Sequence, residues 1–112
     1  MTVPRLDRPL VLEAPQRVAD GAGGFVEVWQ PLGTLWAGVE TRTGRERIEA
    51  RAPVSAMRYR ITVRGALVGS PQRPQPQQRF RDGPRVYVIE AVAEADSQGR
   101  YLICFADEEV AV

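Results

Sequence analysis

Apolar and polar residues alternate with a period of two along several stretches of this chain, and each such stretch predicts a strand. LVLEA (10–14) is the first and is short; PQRVADGAG breaks it, with Asp20-Gly21 as turn chemistry. GFVEVWQ (24–30) puts Phe25, Glu27 and Trp29 on one face and Val26, Val28 and Gln30 on the other. After Pro31-Leu32-Gly33 the alternation resumes in TLWAGVET (34–41), where Leu35, Ala37 and Val39 oppose Trp36, Gly38 and Glu40. Two such runs around a Pro/Gly break predict a hairpin with its turn at PLG and a tryptophan on either side.

TGRERIEARAPVSAM (43–57) interrupts the pattern. Thr43 and Glu46 have the spacing of a capping box and Pro53 ends the run, which predicts a short helical turn or ordered loop. RYRITVRG (58–65) alternates again, with Tyr59, Ile61 and Val63 inward and Arg58, Arg60, Thr62 and Arg64 outward. ALVGSPQRPQPQQR (66–79) has three prolines among glutamines and arginines and predicts an extended, mobile loop, with Phe80 as the anchor behind it. DGPR (82–85) is a tight turn, VYVIEAVAEA (86–95) the longest strand, DSQGR a further turn, and YLICFADEE (100–109) the last strand. The sum is a mainly all-β fold: a small antiparallel β-barrel or sandwich with one short helical turn and a long Pro/Gln loop. Residues 1–9, with two prolines and mixed charges, predict an N-terminal arm, and 10–109 a single domain.

Composition narrows the chemistry. The 112 residues suffice for one domain, and 44% hydrophobic with 26% charged residues is an ordinary globular balance. No apolar run approaches the ~20 residues of a membrane span, and the first residues lack the pattern of a signal peptide, so a cytoplasmic place of synthesis and assembly is expected. A net charge of +1 argues against bulk attraction to nucleic acid or membrane. All 15 basic side chains are arginine, whose planar fork suits carboxylate and phosphate contacts. With no histidine, the chain lacks a Ser/His/Asp or Cys/His nucleophile system and any imidazole metal ligand. Cys104, alone in YLICF, is a buried thiol rather than a nucleophile. Glu46 and Glu49 are explained by pairing with neighbouring arginines. No enzyme, no catalytic or metal site and no cofactor is expected.

The order of the elements resembles a known family. Trp29, then Trp36-Ala37-Gly38-Val39, Thr43-Gly44-Arg45-Glu46, Tyr59 to Arg64, Gly83 to Ile89 and Tyr101 to Cys104 are similar to the successive pieces of the small phage head–tail joining proteins, also called head-closure, stopper or head–tail adaptor proteins, with relatives in gene transfer agents. The likeness spans residues 10 to about 108; the Pro/Gln stretch 69–79 departs from it, replacing a short connection. The resemblance implies a non-catalytic virion protein of the particle neck. It would form a homo-oligomeric ring between a portal or adaptor protein and a tail terminator or tail tube protein, closing the head after DNA packaging. It also implies that the loop between the second and third strands, here 41–57, reaches into the channel, with possible non-specific contact with packaged double-stranded DNA and no membrane partner.

Against that background the candidate residues carry two readings each. Trp29, Trp36 and Tyr59 either pack in the core or a subunit interface, or, for the tryptophans, stack bases as in a nucleic-acid-binding barrel, the alternative function. Fully buried, Trp36 would cost about 3–5 kcal/mol on truncation to Ala. Arg42, Arg45, Arg47 and Arg51 are either a solvated turn offset by Glu46 and Glu49 or prongs toward phosphates or an acidic adaptor. Gln72, Arg73, Gln75, Gln77 and Arg79 form the expected partner-contact loop.

Overall fold

In the computed structural model, which describes residues 3–42 and 57–109, six strands form one antiparallel sheet. They are β1 (Arg8–Ala19), β2 (Phe25–Thr41), β3 (Met57–Arg64), β4 (Arg79–Asp82), β5 (Arg85–Glu94) and β6 (Tyr101–Glu109). The spatial order is β1-β2-β3-β6-β5-β4, and β4 pairs back to β1, so the sheet closes on itself. Closure rests on three facing positions, Val11 to Arg81, Leu12 to Phe80 and Glu13 to Arg79. The expected helical turn at 43–57 lies outside the described residues apart from Met57, which opens β3.

The interior is filled from every strand. Leu10, Leu12, Ala37, Ile61, Val63, Phe80, Tyr87, Ile89, Leu102, Cys104 and Ala106 are buried, with Leu32, Leu35, Val39 and Val92 packed against them. Period-2 alternation places these side chains on one face of the pleat, and closing the sheet buries that face. The inward set expected in β3 is the one observed: Tyr59, Ile61 and Val63 are buried while Arg58, Arg60 and Arg64 face solvent.

The hairpin expected around Pro31-Leu32-Gly33 does not form. β2 runs unbroken through it, and the irregularity is absorbed as a bulge: Leu12 faces Gly33 while Glu13 faces Pro31, leaving Leu32 as the extra residue. Gly33 takes φ +146°, which glycine reaches without a Cβ clash, so the strand continues. The hairpin lies one strand earlier. β1 continues past Glu13 through Pro15 to Ala19, and the turn is Asp20–Gly24, where the Asp20 carboxylate accepts from the Ala22 and Gly24 amides at 2.8 and 3.0 Å. Proline ends a central strand because it withholds a rung, but β1 beyond Glu13 has β2 on one side only.

Chain direction fixes what emerges where. The β1–β2 ribbon, the 65–78 segment and the 95–100 turn leave one end of the barrel. The 42–56 connection and the Gly83-Pro84 turn leave the other. The Pro/Gln segment, expected to be extended and mobile, is instead a run of turns: Ser70 N donates to Leu67 O, Arg73 N to Ser70 O and Gln78 N to Gln75 O. Pro74 is fully buried, and the Gln77 amide and Gln78 carbonyl bond the backbone of Ile89. Without β-sheet partners of its own, the segment is held by closing one mouth of the core. The N-terminal arm crosses the outer face of β2, where Gly38 has room for no side chain: a Cβ there would lie 2.5 Å from the Arg5 carbonyl oxygen.

Candidate functional site

Two polar clusters brace the barrel, one near each end. At the base of the ribbon, Glu13 is 4% exposed and lies between two arginines of β4: Arg79 Nε donates to Oε1 at 2.7 Å and Arg81 Nε to Oε2 at 2.8 Å. Burial alone would raise the Glu13 pKa, but the hydrogen bonds from Arg81 and Arg79 outweigh it and hold the carboxyl below its ordinary value. The Arg79 guanidinium also sits 4.1 Å from the centroid of Trp29, on the outer face of β2. Trp29 is half-buried there, and Arg79 is a strut of the fold rather than a loop residue free for a partner.

At the opposite mouth, side chains from five strands converge. Arg85 Nε donates to Glu108 Oε2 at 2.8 Å, the Tyr59 hydroxyl to Glu108 Oε1 at 3.0 Å, and Arg85 Nη2 reaches the Tyr59 hydroxyl at 3.2 Å. Arg8 binds Asp82 at 2.8 Å and approaches the Tyr87 hydroxyl at 3.5 Å. Tyr59 and Tyr87 meet edge to face, with centroids 5.1 Å apart. The Arg85 contact lowers the pKa of Glu108, and burial, then Glu108 itself, raises that of Tyr59. Tyr59 is therefore a core residue whose polar tip helps to frame the mouth from which the 42–56 connection leaves. Arg42, at its near edge, is exposed and lies over the Phe105 ring at 5.1 Å. Arg45, Arg47 and Arg51 lie outside the described residues.

The two tryptophans do not face each other across a turn. They stand seven residues apart on one strand, roughly 23 Å at the usual rise, Trp29 opposite Pro15 and Trp36 opposite Pro9. Trp36 is 57% exposed, so it is no core residue, and the large loss expected on truncating a buried ring does not apply. In the 65–78 segment Gln72, Gln75 and Gln77 are exposed, while Arg73 turns back to donate to the Ala66 carbonyl at 2.7 Å. Sequence reasoning missed the Glu13 clamp and the exposed apolar residues of the ribbon, Val18, Phe25, Val26 and Val28. The shared parity of Leu10, Leu12, Ala14 and Val18 across Pro15, interrupted by Gln16, is the available signal.

Chemically, these groups brace the fold. Among the described residues no cluster of three or more His, Cys, Asp or Glu could hold a metal ion. Cys104 is buried, which pushes its thiol up to about 12, far from a reactive thiolate. What distinguishes the surface is two differently furnished ends. The family model for phage head completion proteins matches residues 1–109. The chain belongs to that family. Its role is accordingly structural, in completing a phage-type head. Among solved structures it is similar to a chain in the virion of a native gene transfer agent particle, with 49% identity, 98% of this chain and 100% of that one covered, and a TM-score of 0.79. It shares its fold with protein SF1141 from Shigella flexneri 2a, at 23% identity, full coverage of both chains and a TM-score of 0.72. No curated protein matches it.

Proposed function

We propose that this head completion protein forms a ring between the portal or adaptor and the tail, closing the head after DNA packaging and offering the tail its docking surface. The observation that carries this reading is the two-ended build of the barrel. A bridging protein needs two separate surfaces held at fixed spacing. Here a closed sheet with braced mouths separates the ribbon and the 65–78 segment from the 42–56 connection. The similarity to a virion chain at 49% identity supports a place in the particle.

In this reading the arginine-rich connection faces the channel or the adaptor. Around a ring, Arg42, Arg45, Arg47 and Arg51 against Glu46 and Glu49 repeat a local positive excess about one axis. Phosphates passing there meet sequence-independent contacts that hold DNA without locking it. Changing Arg45 and Arg47 to Gln tests this. Contact with DNA predicts particles that assemble whole but leak DNA, more so at high salt; contact with an adaptor predicts heads without tails. Tailed particles that retain their DNA normally would defeat both.

A further inference from the structure

The N-terminal arm is attached to the barrel in its own way. Val3, Arg5 and Asp7 are exposed while Pro4, Leu6 and Arg8 are half-buried, so the arm turns one edge toward the wall. It reaches the outer face of β2 at Gly38, between Ala37 and Val39, which belong to the core opposite Val63 and Ile61. A Cβ added at Gly38 would meet arm atoms first: the Arg5 carbonyl oxygen at 2.5 Å, its carbon at 3.6 Å, then Leu6 Cδ2 at 3.7 Å. No other part of the chain lies closer to that point. Glycine weakens a strand interior, and it marks a place where another backbone passes closely. Gly38 is such a place, shaped for the arm.

Little else holds the arm down. Among the described residues, no backbone hydrogen bond outside the sheet ladders and no salt bridge involves residues 3–7. A concavity of about 260 Å³ separates Val3, Pro4 and Leu6 on the arm from Trp36, Arg64 and Tyr101 on the wall, so the far end is not packed down. Attachment changes at Arg8. There the chain joins the ladder opposite Ala37, and the Arg8 guanidinium binds Asp82 at 2.8 Å. Asp7 and Arg8 thus mark the border between a segment held by shape and a strand held by bonds. Segments with few buried contacts and unbonded backbone open at the low end of the free-energy range.

We propose that residues 3–7 are a strap that opens and closes over a folded barrel, hinged at Asp7 and seated at Gly38. The strap is a property of one chain and does not depend on the ring. Closed, it covers Gly38 and lies beside Trp36. Open, it leaves that stretch of β2 bare, with no side chain at its centre. A neighbour that uses this part of the wall binds the open form, so its apparent affinity is scaled by the open fraction. Position 38 is the control point. A methyl group there collides with the closed strap, and in the open form it meets none of those atoms. Gly38→Ala therefore shifts the balance toward open without entering the core.

Trypsin applied to the native full chain reads the opening at the Arg5–Leu6 bond, under single-cut conditions, with release of the N-terminal peptide followed by mass. Cleavage there should run far faster than global unfolding, and Gly38→Ala should speed it several-fold, because the rate follows the open population. Melting temperature is the second readout, taken with and without residues 1–6. In the full chain Gly38→Ala should lower it, by no more than removal of the arm does. In the armless chain the same substitution should be neutral or stabilising, since alanine suits a strand interior better than glycine. An equal loss in both backgrounds would show that Gly38 serves the barrel and overturn the seat, as would cleavage unchanged by the substitution. Cleavage at Arg5 no faster than unfolding would make the arm an integral part of the fold and overturn the strap. So would an armless chain without a cooperative transition.

Discussion

Glu13 shows how one carboxylate can govern the junction between barrel and ribbon. Its two arginines are less buried than it is, Arg79 at 19% and Arg81 at 39% side-chain exposure, so water takes back part of their charge if the carboxylate is lost. Glu13→Ala should therefore cost about 2 kcal/mol, less than the 3–5 of a pair buried on both sides, measurable by denaturant unfolding. The same residue sets a pH dependence. Its folded pKa and that of Glu108 are both depressed, so their contribution is full above the unfolded carboxylate pKa and fades as pH falls through the lower folded values. Stability should hold from neutral pH down to about 4.5 and then drop; Glu13→Gln should shallow that drop. A profile unchanged by the substitution would show that the clamp does not couple to folding. Nothing in the spacing of LVLEA marks Glu13 as buried, because the cause, two arginines on a strand 66 residues later in one case, is purely tertiary.

At the scale of elements, alternation found β3, β5, β6 and the DGPR turn with little error because each strand is half-buried, and the bulge at Glu90 that moves the inward set of β5 from Tyr87 and Ile89 to Val92 leaves the run recognisable. It failed at prolines. Pro15 and Pro31 predict ends, yet both lie within strands, in the part of the β1–β2 ribbon where each strand has a neighbour on one side only and proline is tolerated. The 65–78 segment failed for the opposite reason: its composition suits a mobile loop, but Pro74 is taken into the core. Removing 71–78 should then do more than impair docking. It exposes the mouth of the core and deletes both backbone bonds to Ile89, and the expected result is a large drop in melting temperature or loss of a cooperative transition. A deletion variant that melts like the parent would return the segment to the surface.

The whole molecule is a barrel with no free edge through the core, and its one thiol reports on that closure. Cys104 lies on β6, fully buried between β3 and β5, and burial pushes its thiol well above the ordinary range. In native conditions a thiol reagent should label it at the rate of global opening, so labelling and unfolding rates should agree across a denaturant series. Labelling far faster than unfolding would reveal a local opening of the β5–β6 pair. The candidate site was legible only in part at this scale. The arginines of 42–51 are evident as a cluster in the sequence, but the exposed valines of the ribbon require knowing which face of β1 and β2 outlives the barrel.

The open borders of that ribbon also carry a risk. Every free chain carries the outer border of β2 from Phe25 to Trp36 without a neighbouring strand among the described residues. Such a border is a template for endless strand-by-strand growth. Pro15 and Pro31 each lack an N–H on a strand with one free side, and proline in an edge strand blunts such pairing. Two imino acids thus guard the free chain against growth through its own backbone.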